Sequence, residues 1–176
     1  MKRYLCVFLL LVVCFLLQTT LFTYLQIAHM VPNLILVVTV ASGLMYGRRG
    51  GLFAGVISGL LVDLLYGNVI GVGILIYSVV GYLCGTGSKL YFDDDFAVPM
   101  VAVAVSDFLY GFMYYVCNFL LRGRLHILFY IRSVILPEMI YTVLVGSVLF
   151  YFIRWLDSKV NPPMEVPLKP KKPLEG

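Results

Sequence analysis

The residues able to do chemistry are few, and most stand where water is scarce. Three acids, Asp63, Asp107 and Glu138, fall inside long apolar runs. A charged side chain at the bilayer centre costs ~2.5–3.5 kcal/mol on the insertion scale, so each acid should face protein or water. Such acids can carry protons, hold cations, or pair with a base as structure alone. Bases are at hand in the segment RGRLHILFYIR, which carries Arg122, Arg124 and Arg132. The expectation is that Asp63 and Glu138 pair with one or more of these arginines.

Asp107 begins a second pattern. Gly111, Tyr114 and Asn118 follow it at spacings of four, three and four, on one helical face. With Gln18 they form a polar stripe that should line the bundle interior or a cavity. Other groups point away from catalysis. Asp93, Asp94 and Asp95 precede an apolar run, where acids cap free amides and meet the positive end of a helix. His29 and His126 each stand alone, and Cys6, Cys14, Cys84 and Cys117 have neither metal nor redox spacing. No Ser-His-acid set, phosphate loop or HExxH is present. The chain is expected to be no enzyme, with no cofactor and no metal.

The elements that must position these residues follow from composition. Of 176 residues, 61% are hydrophobic and 12% charged, with a mean hydropathy of +0.97. A soluble domain of this length could not hide so much apolar surface. Lipid is therefore the solvent for most of the chain, and lipid demands helices that pair their own backbone groups. The formal charge of +4 belongs to bases at the ends of apolar runs, which orient a membrane protein and do not signal nucleic acid.

Apolar runs and breakers predict an all-α bundle of six membrane-spanning helices. They cover about 4–25, 32–46, 51–66, 69–87, 97–121 and 133–155. MKRYLCVFLLLVVCFLLQTT begins like a signal peptide, yet the run continues to Leu25 without a small-residue cleavage site, so a retained first span is expected. Pro32 suits the first turn of the second span. The second and third spans are short, and GRRG between them suits a tight hairpin whose arginines snorkel. With both termini cytoplasmic, ten Lys and Arg fall inside and three outside, and the three are the arginines of RGRLHILFYIR. That aromatic, apolar segment is expected to lie along the outer interface. Residues 1–156 form the membrane unit. The Pro- and Lys-rich tail, 157–176, is expected to be disordered, solvated or touching anionic lipid.

One stretch, GLFAGVISGLLVDLLYG at 51–67, combines glycine with a buried acid. Gly51, Gly55 and Gly59 stand four apart, so they form a ridge without side chains along one helix face. Gly67 ends the stretch, Gly71 opens the fourth span, and Gly81 and Gly85 form a second pair in GYLCG. Close approach is what holds helices together in lipid. The ridge can receive the protein's own fourth span or a helix of another protein.

These residues carry a resemblance. Gln18-Thr-Thr-Leu, then Pro32-Asn33-Leu34, then the glycine-aspartate block at 51–67, then Gly71 and GYLCG together resemble the rod shape-determining protein MreD family over about residues 1–156. The resemblance implies a non-catalytic bacterial inner-membrane subunit of the cell-elongation complex. It would associate with MreC and, through it, with MreB, RodA and a class B penicillin-binding protein, regulating lateral wall synthesis. The family's helical layout is also similar to that of the substrate-binding membrane subunits of vitamin transporters, which keeps ligand uptake as the alternative. A scaffold uses the ridge and polar cluster as partner surfaces; a transporter subunit uses the polar cavity as a pocket.

Overall fold

A computed structural model describes residues 2–24, 31–66, 70–90, 97–118 and 127–160. They are all-helical: α1 (Lys2–Tyr24), α2 (Leu34–Tyr66), α3 (Val72–Thr86) with a 3-10 turn (Gly87–Leu90), α4 (Ala97–Asn118), α5 (Ile127–Tyr130), a wide π turn (Ile131–Ile135) and α6 (Leu136–Val160). Three stretches are long and apolar enough to cross a membrane: Leu34–Tyr66, Ala97–Cys117 and Ile127–Lys159. Tyr4–Thr20 and Val72–Thr86 are shorter apolar helices.

Helix α2 is not a straight rod. The hydroxyls of Thr39 and Ser58 are 2.7 Å apart, although 19 residues of straight helix would separate them by ~28 Å. The chain reverses at Gly47, whose φ of 72° and ψ of −166° leave the helical region. A residue with a Cβ rarely adopts that φ. The GRRG segment is thus the turn of a helical hairpin, with a first limb at 34–46 and a second at 48–66.

The first limb is the centre of the bundle. Every residue from Leu34 to Leu44 is buried. Around it pack α1 through Val7, Leu11, Cys14 and Phe15, and α6 through Phe150 and Ile153. Gly146 of α6 faces Val37 so closely that a Cβ would lie 2.9 Å from its Cγ2. The outward faces are apolar. Val101 and Val105 on α4 and Leu144 and Val148 on α6 are each more than 60% exposed. A bundle with polar groups inside and aliphatic side chains outside suits lipid as its solvent.

The glycines set the closest packing, and the α2–α3 interface is the most extensive in the molecule. A Cβ on Gly55 would stand 2.7 Å from the Tyr77 carbonyl carbon and 2.8 Å from Ser78 Cα. One on Gly59 would meet the backbone of Gly73 and Ile74, and one on Gly51 would run into the carbonyl of Gly81. Gly43 joins the same crossing, 2.9 Å from Gly81 O by the same measure. Both limbs of α2 therefore meet α3 at Gly81. Gly85 lies against Arg48, where a Cβ would be 2.6 Å from its Cα. These glycine faces are covered by the protein's own α3 and are not open to another chain. Gly67 lies outside the described residues.

Three local differences from the sequence reading have physical causes. Asn33, not Pro32, caps α2, because its Oδ1 accepts the Leu36 amide at 3.1 Å. Residues 127–135, expected to belong to a loop along the outer interface, are helical and continuous with α6, while 122–126 lie outside the described residues. Pro137 lacks the amide that would continue the ordinary ladder, and the preceding turn widens, with the Leu136 amide donating to Ile131 O. Helix α6 also continues to Val160, past the expected membrane-unit end at 156.

Candidate functional site

Polar groups gather where the second limb of α2, α3, α4 and α6 meet the start of α2. Its smallest part is the cap of α3. Asp63 is 5% exposed, and both its oxygens are occupied. Oδ2 accepts the amides of Gly71 at 2.7 Å and Ile74 at 3.2 Å; Oδ1 accepts that of Gly73 at 2.8 Å. The first turn of a helix leaves amides without partners and carries positive dipole charge, so a carboxylate there is strongly held. Gly71, with φ at 117°, turns the chain so that these amides converge. A Cβ on Gly73 would meet the Asp63 carboxylate itself.

An ion pair with an arginine was expected at Asp63; among the described residues it is three backbone amides that meet its two oxygens. Arg132 is exposed on the π turn, and Arg122 and Arg124 lie outside the described residues. Asp63 and Glu138 are not partners of a common arginine among the described residues; each belongs to its own surroundings.

The larger part joins α2, α3 and α6 through Asn33, with α1 tied in beside it. Its backbone amide donates to Thr142 Oγ1 at 3.1 Å, and its Oδ1 accepts the Tyr77 hydroxyl at 2.9 Å. Gln18 of α1 accepts the Ile35 amide at 3.4 Å. The orphan amides of the buried first limb are thus met by α1 and α6, while Tyr77 ties the cap to α3. The ring of Tyr77 packs on Tyr110 with centroids 5.0 Å apart, and Tyr110 on Tyr114 at 6.0 Å.

Asp107 and Glu138 complete this group. Asp107 is 3% exposed and faces Thr142, yet its Oδ1 has no hydrogen-bond partner among the described residues. Glu138 lies near enough to act electrostatically on Asp107, Tyr77 and Tyr110. So Gln18, Asn33, Asp107 and Glu138 converge on the interior, with Pro32 buried beside them. Asn118 ends α4, and its side chain is outside the description. Tyr77, Tyr110 and Thr142 were missed by the sequence reading. Their signal was spacing: Thr142 stands four residues after Glu138, Tyr110 three after Asp107, and Tyr77 four before Gly81. No group of three or more His, Cys, Asp or Glu able to hold a metal occurs among the described residues.

Fold and site together define an all-helical membrane protein. Its buried polar groups cap helices and tie them to one another. The chain belongs to the rod shape-determining protein MreD family, whose model matches residues 1–160. It is accordingly a rod shape-determining membrane protein. No curated protein and no solved structure matches it.

Proposed function

We propose that this chain is a non-catalytic, multi-pass subunit of the bacterial cell-elongation complex in the cytoplasmic membrane. It binds MreC and, through it, acts with MreB, RodA and a class B penicillin-binding protein to regulate cell shape and lateral peptidoglycan synthesis. The family match over residues 1–160 carries this reading. The long helical limbs, α1, the two limbs of α2, α3, α4 and α6, serve as six spans with both termini in the cytoplasm. The excess of Lys and Arg at the termini and at the Gly47 turn supports that orientation.

The glycine faces are occupied by α3, so a partner helix uses the apolar faces that remain exposed on α1, α4 or α6. The test is affinity purification of the full chain from its native membrane, with mass spectrometry of proteins and small molecules. Stoichiometric MreC is the expected result. A stoichiometric vitamin without MreC would overturn the proposal in favour of an uptake subunit.

A further inference from the structure

The Gly47 end of the hairpin holds a cavity that the polar interior does not reach. Its volume is about 450 Å³, and it is lined by Tyr4, Tyr46, Gly47, Arg48, Arg49, Gly85, Thr86 and Ser88. No acid is among these residues. Arg48 and Arg49 are both exposed. The Arg48 guanidinium sits 5.7 Å from the centroid of the Tyr82 ring, a contact that steers the cation without neutralising it. Asp157, which lines the adjoining pocket with Tyr46, accepts the Tyr46 hydroxyl at 2.5 Å.

We propose that this cradle binds the phosphate of an anionic phospholipid. Guanidinium groups match phosphate oxygens in charge and in paired hydrogen-bond geometry. The Ser88 hydroxyl is half-buried in the wall and supplies a further donor. Thr86 contributes no second proton, since its hydroxyl donates to Tyr82 O at 3.0 Å. Glycine at 47 and 85 keeps the floor free of side chains, and the positive φ at Gly47 brings both arginines to one turn.

The surroundings favour a lipid over a free anion. Tyr4 and Tyr46 line the cradle and Tyr82 meets Arg48 beside it, as aromatic residues do at the membrane–water boundary. Directly along the same limbs, Leu52, Phe53 and Leu83 are exposed apolar side chains. Phe53 is held against Tyr4 at 4.9 Å between centroids. A phosphate on the arginines would therefore place its acyl chains on an apolar wall. A free phosphate would use only the head of the site.

Native mass spectrometry of the purified full chain in detergent tests this, with phosphatidylglycerol, phosphatidylcholine and inorganic phosphate as probes. Saturable phosphatidylglycerol binding is expected, with phosphatidylcholine weaker and millimolar phosphate unable to displace the lipid. The R48Q/R49Q variant should weaken phosphatidylglycerol binding roughly 30-fold, from the usual contribution of two interfacial bases. Ser88→Phe, which fills the cradle without touching the arginines, should weaken it as well. Lys159→Gln removes a cation that sits over the Trp155 ring and is not part of the cradle's lining, and should leave binding unchanged. Unaltered lipid binding by R48Q/R49Q eluting as a folded monodisperse species overturns the proposal. If that variant does not fold, unaltered binding by Ser88→Phe overturns it instead. Equal loss in Lys159→Gln would show a general charge effect, and displacement by inorganic phosphate would show a free-anion site; either ends the lipid assignment.

Discussion

The two ends of the second limb of α2 treat charge in opposite ways. At one end a single carboxylate, Asp63, is buried and met by three amides from the start of α3. At the other, two guanidiniums stand exposed around an open cavity with no acid among its described lining residues. Between them lies a line of glycines with backbone against backbone. A buried charge must be completed by the fold itself, because no solvent is there to do it. An interfacial charge can be left for water, lipid or a ligand. The Asp63 end is therefore structural, and the Gly47 end is available.

The widest gap should open when the glycine line between the two ends is broken. Gly55→Leu forces side-chain atoms into the backbone of Tyr77 and Ser78, which cannot move aside as a rotamer can. We expect a loss on the order of 4 kcal/mol or more, seen as failure to recover a monodisperse protein or as collapse of its unfolding transition in detergent. A stable Gly55→Leu protein would show that α3 does not hold this ridge.

The next effect sharpens the contrast at the Asp63 end. Asp63→Asn keeps the shape but leaves one acceptor oxygen for three amides. A cost of about 2–4 kcal/mol is expected, since bonds to a charged acceptor are lost and a buried amide is left facing a donor. Denaturant titration of the reconstituted protein measures it. A change below about 1 kcal/mol would mean that the amides of Gly71, Gly73 and Ile74 find other acceptors.

The smallest effect belongs to the same substitution at an equally buried acid. Asp107 is as hidden as Asp63, but one of its oxygens has no hydrogen-bond partner among the described residues. Asp107→Asn keeps the shape beside Glu138 and disturbs few hydrogen bonds, so stability should change by about 1 kcal/mol or less, in either direction. The same titration decides it. A loss as large as that of Asp63→Asn would show that the unpartnered oxygen is satisfied in the working protein.

Much of this arrangement could be read from the chain before any coordinates. The apolar runs marked the long helical limbs, GRRG marked a turn, and the four-residue glycine spacing marked a close crossing. These depend on local rules: period, propensity, and the cost of polar groups in lipid. Asp63 was read as buried and in need of a partner, which is also a local inference. Opposite charge along the chain pointed to the arginines, whereas the fold brings three amides to its oxygens. Whether those amides converge depends on the positive φ of Gly71 and on the angle at which α3 leaves the turn. Spacing along one strand of sequence does not contain that angle.

The sequence by itself determined the solvent, the helical class, the places where helices could approach and the acids that required company. The tertiary structure alone decided who keeps that company. It folded the first limb of α2 into the centre, brought Asn33, Tyr77 and Thr142 together from three helices, and covered the glycine ridge with α3. It also set Arg48 and Arg49 on one cradle with Tyr4, Tyr46 and Ser88. The physical reason is the range of the forces involved. Hydropathy and periodicity act within one helix and are written in consecutive residues, whereas hydrogen bonds and backbone contacts between helices depend on crossings that only the assembled bundle fixes.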